Sequence, residues 1–233
     1  GMLKAIIPVI PYILITIIVI ALYKYGLDTK MDEFTAPVIL PIILIAYIMF
    51  DKWWGDAVKS EITEINAMTL ATASADGIPS ARMVLLKGYD KNGFIFFTNY
   101  KSHKGNEMEL NANVCLVFFR KELERQIRIT GSVEKVSAAE SDAYFISRPV
   151  GSRIGAWASP QSTVIANREF IEERSKEFED QFSDGNIPRP QHWGGYIVKP
   201  VQVEFWQGRP SRLHDRIQYS LHKGSWSIER LAP

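Results

Sequence analysis

The stretch NAMTLATASADGIPSARMVLLKGYDKNGFIFFT, residues Asn66 to Thr98, decides the fold class. Asn66–Ala73 reads as a strand. Asp76-Gly77 follows, a pair that accepts the positive backbone angles of a tight hairpin. Ser80–Tyr89 reads as the next strand, Asn92-Gly93 as a second turn, and Phe94–Thr98 as a third strand. Strands joined by turns this short can only be antiparallel neighbours, because a parallel pair needs a long crossover.

Working outward, Ser102–Leu110 reads as a short helix capped by Ser102, and Val114–Phe119 as a buried strand. Gln126–Val136 alternates, with Ile127, Ile129, Gly131 and Val133 on one side and Gln126, Arg128, Thr130 and Ser132 on the other. Ser137 and Glu140 form a capping-box pattern for a helix that Pro149 stops. Asn167–Phe182 reads as a further helix. Four strands close the chain: Gly195–Lys199, Gln202–Gln207, Arg212–Tyr219 and Trp226–Leu231. Antiparallel hairpins broken by a few helices predict a mostly-β (α+β) barrel with peripheral helices rather than a doubly wound sheet. No G-x-G-x-x-G or P-loop pattern is present, which removes support for the usual dinucleotide and nucleotide folds.

Composition narrows the function. Lys and Arg number 27 against 26 Asp and Glu, so the chain lacks the cation surplus of a protein that coats nucleic acid. Its one cysteine, Cys115, excludes an intrachain disulfide framework and a thiolate metal cluster. The four histidines, His103, His192, His214 and His222, fall at no metal-ligand spacing. No G-x-S-x-G elbow supports a serine hydrolase.

The N-terminal fifth differs from the rest. Ala5–Tyr23 carries no charge over about nineteen residues, near the length that spans a bilayer as a helix. Ala36–Phe50 is a second, shorter uncharged run. Residues 1–50 are read as an atypical apolar segment, either a membrane tether through 5–23 or a flap packed on protein. Pro8, Pro11, Pro37 and Pro41 weaken any continuous helix there. Residues 51–233 are read as the globular domain.

Several constellations could carry chemistry. On a strand from Arg212 to Tyr219, alternation would set Arg212, His214 and Arg216 on one face and Leu213 and Asp215 on the other. Three such groups in a row suit an anionic ligand, or else a solvated outer face. Tyr144 and Arg148 lie four apart on a helix, and Ser152 follows on a turn that can fold back. Together they make a phosphate clamp, or an ordinary helix end. Ser102-His103-Lys104 opens a helix whose free N–H groups and Lys104 suit a phosphate, or is a plain cap. Arg82 and Lys87, five apart, point to opposite faces of one strand. Gln161 and Ser162 sit in a loop where an amide and a hydroxyl could read a heterocycle edge or satisfy the loop backbone.

From about Phe50 to Pro233 the chain closely resembles the pyridoxine/pyridoxamine 5′-phosphate oxidase family. The resemblance rests on RMVLLKGYD (Arg82–Asp90), FFTNYKSHKG (Phe96–Gly105), LERQIRI (Leu123–Ile129) and YFISRPVGSRIGAWASPQS (Tyr144–Ser162). It continues through HWGGY (His192–Tyr196), FWQGRPSRLHDR (Phe205–Arg216) and a closing IERLAP. It implies a homodimeric FMN-binding split β-barrel with two flavin sites at the subunit interface. The flavin contacts it implies are Arg82, Met83, Val84, Leu85, Leu86, Lys87, Phe97, Thr98, His103, Lys104, Gln126, Gln161, Ser162, Trp206 and Arg216. The substrate contacts are Lys87, Tyr144, Arg148, Ser152, Arg212, Leu213 and His214, with Arg212 and His214 at the reacting end.

The implied reaction oxidises pyridoxamine 5′-phosphate or pyridoxine 5′-phosphate to pyridoxal 5′-phosphate. Hydride passes to flavin N5, and O2 reoxidises the flavin to give H2O2, without a metal. The alternative on the same barrel is a non-catalytic flavin or pyridoxal-phosphate binding protein. The family is cytoplasmic, which weighs against a tether. The chain departs from the family pattern at His103, where Arg is usual, and at Ile146, where His is usual. It also departs in the N-terminal Arg-x-x-Tyr lid: if Tyr25 takes the place of that Tyr, Leu22 falls at the Arg position.

Overall fold

A computed structural model of the chain describes residues 35–60 and 62–233, with side chains from residue 42 onward. The apolar run 5–23 and the Leu22/Tyr25 pair lie outside the described residues.

Helix α1, Thr35–Lys59, takes in the second apolar run and continues past it. The change of composition at residues 50 and 51 therefore falls inside a helix. Pro37 sits in the first turn, where the absent N–H has no intrahelical partner to lose, while Pro41 costs the helix one ladder bond. Ala46, Phe50 and Ala57 form the buried face. The Phe50 ring meets Phe94 edge-on at 5.0 Å, Phe118 at 5.5 Å and Tyr89 at 4.7 Å. One turn on, Trp53 stands edge-on to Phe205 at 5.3 Å, with the Arg125 guanidinium 4.6 Å from its ring. Asp56 then pairs with Arg125 at 2.8 Å. The C-terminal part of the run is thus packed on protein. Among the described residues no helix is long and apolar enough to cross a membrane.

Nine strands form one antiparallel, curled half-barrel sheet. They are β1 (Ala67–Ala73), β2 (Pro79–Leu85), β3 (Gly88–Asp90), β4 (Gly93–Asn99), β5 (Asn113–Arg120), β6 (Arg125–Lys135), β7 (Trp193–Gln207), β8 (Asp215–His222) and β9 (Ser225–Arg230). The order is β2-β1-β5-β6-β7-β4-β3, with β8 also on β7 and β9 on β8. Met68, Leu70, Phe96, Leu116, Ile129 and Val198 are wholly buried on the concave side, as the alternating pattern requires. The remaining α-helices among the described residues are α2 (His103–Leu110), α3 (Ala138–Ser147), α4 (Val150–Ala158) and α5 (Glu169–Gln181). A second core of Phe145, Ile154, Ile187 and Trp193 lies outside the barrel, joined by Phe97, Trp157 and Phe178. Ser137 caps α3 by accepting the Glu140 N–H, as its spacing predicts.

The structure corrects five local expectations. The strands expected at Gly195–Lys199 and Gln202–Gln207 are one strand, β7. Its far edge pairs first with β4 and then with β8, and Pro200 sits at that handover, opposite a bulge at Thr130/Gly131. A proline is tolerated there because the ladder is already interrupted. Gly131 is required at the bulge, since a Cβ would stand 2.2 Å from the Lys199 carbonyl oxygen. Ser80–Tyr89 is two strands, β2 and β3, broken at Leu86 and Lys87. Ser152, expected on a turn, lies in helix α4, which begins directly after Pro149. The second long helix begins at Glu169 rather than Asn167. Finally, β8 begins at Asp215 rather than Arg212.

Replacing Phe50 with Ala removes a ring that packs on three strands. The variant should lose about 3–5 kcal/mol in urea unfolding, with an unchanged slope. Ile48→Ala, at a position half exposed, should stay within about 0.5 kcal/mol of the parent. Equal losses at the two positions would show that α1 is not docked by this face.

Candidate active site

Three side-chain clusters contain most of the residues that the sequence singles out. The first lies where β1, β2 and β4 meet the start of α2. Ser102 caps α2 by accepting the Gly105 N–H at 3.3 Å. Gly105 is needed for that tight entry, because a Cβ would meet the Tyr100 carbonyl oxygen at 2.0 Å. The cap buries the Lys104 ammonium, which donates to Thr98 Oγ1 at 3.1 Å and Ser102 Oγ at 3.3 Å. Lys104 has no carboxylate partner among the described residues. Burial, and then the nearby charge of Arg82, push its pKa down.

Arg82 arrives from β2. Its terminal nitrogens bond Ser80 Oγ at 2.5 Å, the Leu70 carbonyl oxygen at 3.3 Å, Thr72 Oγ1, and Glu107 Oε2 at 3.2 Å. Burial by itself would raise the Glu107 carboxyl. Hydrogen bonds from Ser80, Thr72 and Arg82, with the charge of His103, outweigh it and hold the group below its ordinary value. His103 Nε2 lies 3.2 Å from Glu107 Oε1 and is otherwise exposed.

The second cluster is aromatic and cationic. Phe97, from the outer face of β4, stacks on Tyr144 at 4.0 Å and on Trp193 at 5.6 Å. Lys87 Nζ stands 5.9 Å from the Tyr144 ring centre. The Arg148 guanidinium lies 4.5 Å from the Trp193 ring centre, and its Nη1 is buried with no hydrogen-bond partner. Burial lowers the Arg148 pKa, against an opposing contribution from Tyr144.

Tyr144 and Arg148 do not share a helix face, as their spacing suggested. Arg148 is the C-cap of α3 and has extended backbone. They meet because both reach Trp193, a residue the spacing argument missed. Ser152 is exposed in the first turn of α4.

The third cluster lies at the opposite end of β7. Trp206 pairs across the sheet with Gln126 on β6 and with Arg216 on β8. His214 packs on Trp206 at 4.5 Å between ring centres, and its Nδ1 accepts the Arg209 N–H at 3.2 Å. Arg216 donates to Glu204 Oε1 at 2.7 Å and to the Ala232 carbonyl oxygen at 3.0 Å. Arg128 binds the other oxygen of the buried Glu204 carboxylate. An open cavity of about 430 Å³ adjoins them, lined by Phe119, Lys121, Glu124, Trp206, Gly208, Arg209, Pro210 and His214.

The expected row of Arg212, His214 and Arg216 on one strand face does not exist. Ser211 and Arg212 have φ of 58° and 61°, in the left-handed region of a short 3₁₀ turn, and only Arg216 is on the strand. Arg212 and Leu213 project from that turn into solvent.

Other residues singled out by the sequence stand apart. Met83 and Leu85 lie on the exposed face of β2, whereas Arg82 and Val84 lie on its half-buried face and Leu86 is buried. Gln161 and Ser162 are exposed in the loop after α4, with Ser162 at φ 69°. No group of His, Cys, Asp and Glu suited to a metal ion occurs among the described residues.

The chain was compared with known proteins. Residues 55–182 match the family model described as pyridoxamine 5′-phosphate oxidase. Residues 193–233 match that of the pyridoxine 5′-phosphate oxidase C-terminal dimerisation region. The pyridoxine/pyridoxamine 5′-phosphate oxidase of Polynucleobacter asymbioticus is 60% identical over 185 residues, which cover 79% of this chain and 87% of that one. The protein of the same name from a Nostoc species is 56% identical over 188 residues, covering 80% and 88%.

The chain belongs to the pyridoxamine 5′-phosphate oxidase family.

As a member of this family it is an oxidase. Among solved structures, PhzG from Burkholderia lata, in complex with tetrahydrophenazine-1-carboxylic acid, superposes with a TM-score of 0.76 at 29% identity, covering 81% of this chain and 92% of that one. A pyridoxamine 5′-phosphate oxidase-related, FMN binding protein from Nostoc punctiforme shares the fold, with a TM-score of 0.59 at 18% identity and covering 74% and 90%.

Set against the family models, Trp193, Trp206, His214 and Arg216 fall inside the C-terminal dimerisation region, and Arg82, Lys104, Gln126, Tyr144 and Arg148 fall within residues 55–182. Around the sheet Arg82 on β2 is four strands from β7, while the curl also brings β2 against β4, which pairs with β7. Trp193 and Trp206 stand at the two ends of the long β7, up to roughly 40 Å apart along an extended strand.

Sequence reasoning missed Thr72, Ser80, Glu107, Trp193 and Glu204. Only Glu107 carried a local signal, its i,i+4 spacing from His103.

The depressed Glu107 pKa predicts a pH dependence of stability. The stabilisation from this carboxylate is complete above its ordinary value of 4.5 and is lost as pH falls through the lower folded value. Thermal melts of the wild type and Glu107→Gln should therefore differ near neutrality and converge as pH falls below 4.5. A gap that stays constant with pH would show that the carboxylate charge contributes nothing to folding.

Proposed function

We propose that the chain is an FMN-dependent oxidase that converts pyridoxamine 5′-phosphate or pyridoxine 5′-phosphate to pyridoxal 5′-phosphate as a homodimer. The observation that carries this reading is the Lys104 ammonium, buried beside Arg82 with only hydroxyl partners. Removing an ammonium ion from water without a counter-ion is costly. A phosphate monoester would supply the missing charge, and the N–H groups at the start of α2 would add to its binding. Thr98, His103, Lys104 and Arg82 would hold the flavin phosphate. The segment Arg82–Lys87, from β2 into the break after it, would lie along the flavin with Phe97. Gln161 and Ser162 would contact it from their loop.

The orphaned Nη1 of Arg148 points to a second anion. Lys87, Tyr144, Arg148 and Ser152 would take the substrate phosphate, with Tyr144 held in place by its stack on Phe97. The third cluster would come from the partner subunit. Gln126, Trp206 and Arg216 would contact the flavin there. Arg212, Leu213 and His214 would close over the reacting end of the substrate. Trp206 backs the His214 ring, so His214 is presented on a rigid support while Arg212 stands on a left-handed turn.

FMN, when bound, supplies the hydride acceptor and is returned to its oxidised form by O2 with release of H2O2. For the amine substrate, water must also enter and ammonia leave. The protein's own part is to orient the substrate carbon and to hold both phosphates.

Purified protein should be yellow and should bleach when pyridoxamine 5′-phosphate is added without oxygen; a bound flavin that stays oxidised would end the reading as an enzyme of this reaction. Arg212→Ala should lower kcat by about a hundredfold with flavin occupancy retained. Mixed dimers of Lys104→Ala and His214→Ala chains should recover about half the wild-type activity, because one of the two shared sites is then intact. Inactive mixed dimers would place each site within a single protomer.

A further inference from the structure

Glu107 is a buried carboxylate set among cations at the place where an anion is expected. Its side chain is 7% exposed, and both oxygens are engaged. Oε2 accepts from Thr72 Oγ1 at 2.5 Å, Ser80 Oγ at 2.6 Å and Arg82 Nη2 at 3.2 Å. Oε1 faces His103 Nε2 at 3.2 Å. A carboxylate beside a bound phosphate is repulsive, so its presence calls for a compensating gain. The geometry supplies one. Arg82 and Lys104 are close enough for the charge on one to lower the pKa of the other. Glu107 ties the Arg82 guanidinium to the hydroxyls of Thr72 on β1 and Ser80 on β2. Arg82 makes these bonds through its terminal nitrogens, and its Nε makes none among the described residues. Counting Arg82 and Lys104 against Glu107, the cluster keeps a net positive charge even with His103 neutral.

We propose that Glu107 is a positioning residue for cofactor selection: it holds Arg82 and His103 in place for the flavin phosphate and so sets the preference for FMN over riboflavin. This rests on the flavin reading above. The two ligands differ only in the phosphate, so a residue that acts through the phosphate site must change their ratio. A residue that merely supports the fold would change both alike.

The test titrates apoprotein with FMN and separately with riboflavin, following the quenching of flavin fluorescence, in wild type, Glu107→Gln and Glu107→Ala. Gln keeps the shape and one acceptor oxygen, so it remains informative if the Ala variant does not fold. Glu107→Gln should weaken FMN binding by about tenfold and riboflavin binding by less than about twofold. At saturating FMN, the KM for pyridoxamine 5′-phosphate should be unchanged. Equal losses for the two flavins would reduce Glu107 to a structural role and overturn the proposal. Unchanged or tighter FMN binding would show that the carboxylate only opposes the phosphate, and would overturn it equally. A wild-type protein that binds neither flavin would instead remove the flavin reading itself, a result distinct from either of these.

Discussion

Strand β7 runs fifteen residues with one edge paired to β6 and the other divided between β4 and β8. That division determines where functional groups can stand. The β4 half carries Trp193 into the stack with Phe97, Tyr144 and Arg148. The β8 half carries Trp206 against His214 and beside Arg216. Because a strand is stiff and rises about 3.3 Å per residue, the two ends are held apart rather than brought together. The two ends of β7 therefore carry separate side-chain clusters, and the whole strand lies in the region described for the family as a dimerisation region.

Buried carboxylates are the second recurring element. Glu107 anchors Arg82 and reaches His103, while Glu204 anchors Arg216 and Arg128. An arginine is a long, flexible side chain, and ordering it on ligand binding costs conformational entropy. A buried carboxylate with hydroxyl neighbours fixes the guanidinium beforehand. Among the described residues Arg82 Nε and Arg216 Nη2 make no hydrogen bond.

The N-terminal helix shows how one segment can read two ways. Ala36–Phe50 is uncharged and apolar, a pattern that suits lipid and protein cores alike. What separates the two is the partner surface, and Phe50 settles among Phe94, Phe118 and Tyr89 with Trp53 and Asp56 held by Arg125. A one-dimensional hydropathy profile contains no information about that surface.

Local patterns in the sequence determined the antiparallel sheet, its Asp76-Gly77 and Asn92-Gly93 turns, the Ser102 and Ser137 caps and the family resemblance, because turns, caps and alternation depend on near neighbours. They also drew attention to Arg82, Lys104, Tyr144, Arg148, His214 and Arg216. The tertiary structure alone decided that β7 is one strand, that Arg212 leaves the sheet on a left-handed turn, and that Tyr144 and Arg148 meet through Trp193. It alone showed that Glu107 and Glu204 are buried partners of arginines 25 residues or 12 residues away in the chain. These are contacts between segments distant in sequence, and which segments meet is set by how the sheet curls and closes, a property of the whole chain that no short window contains.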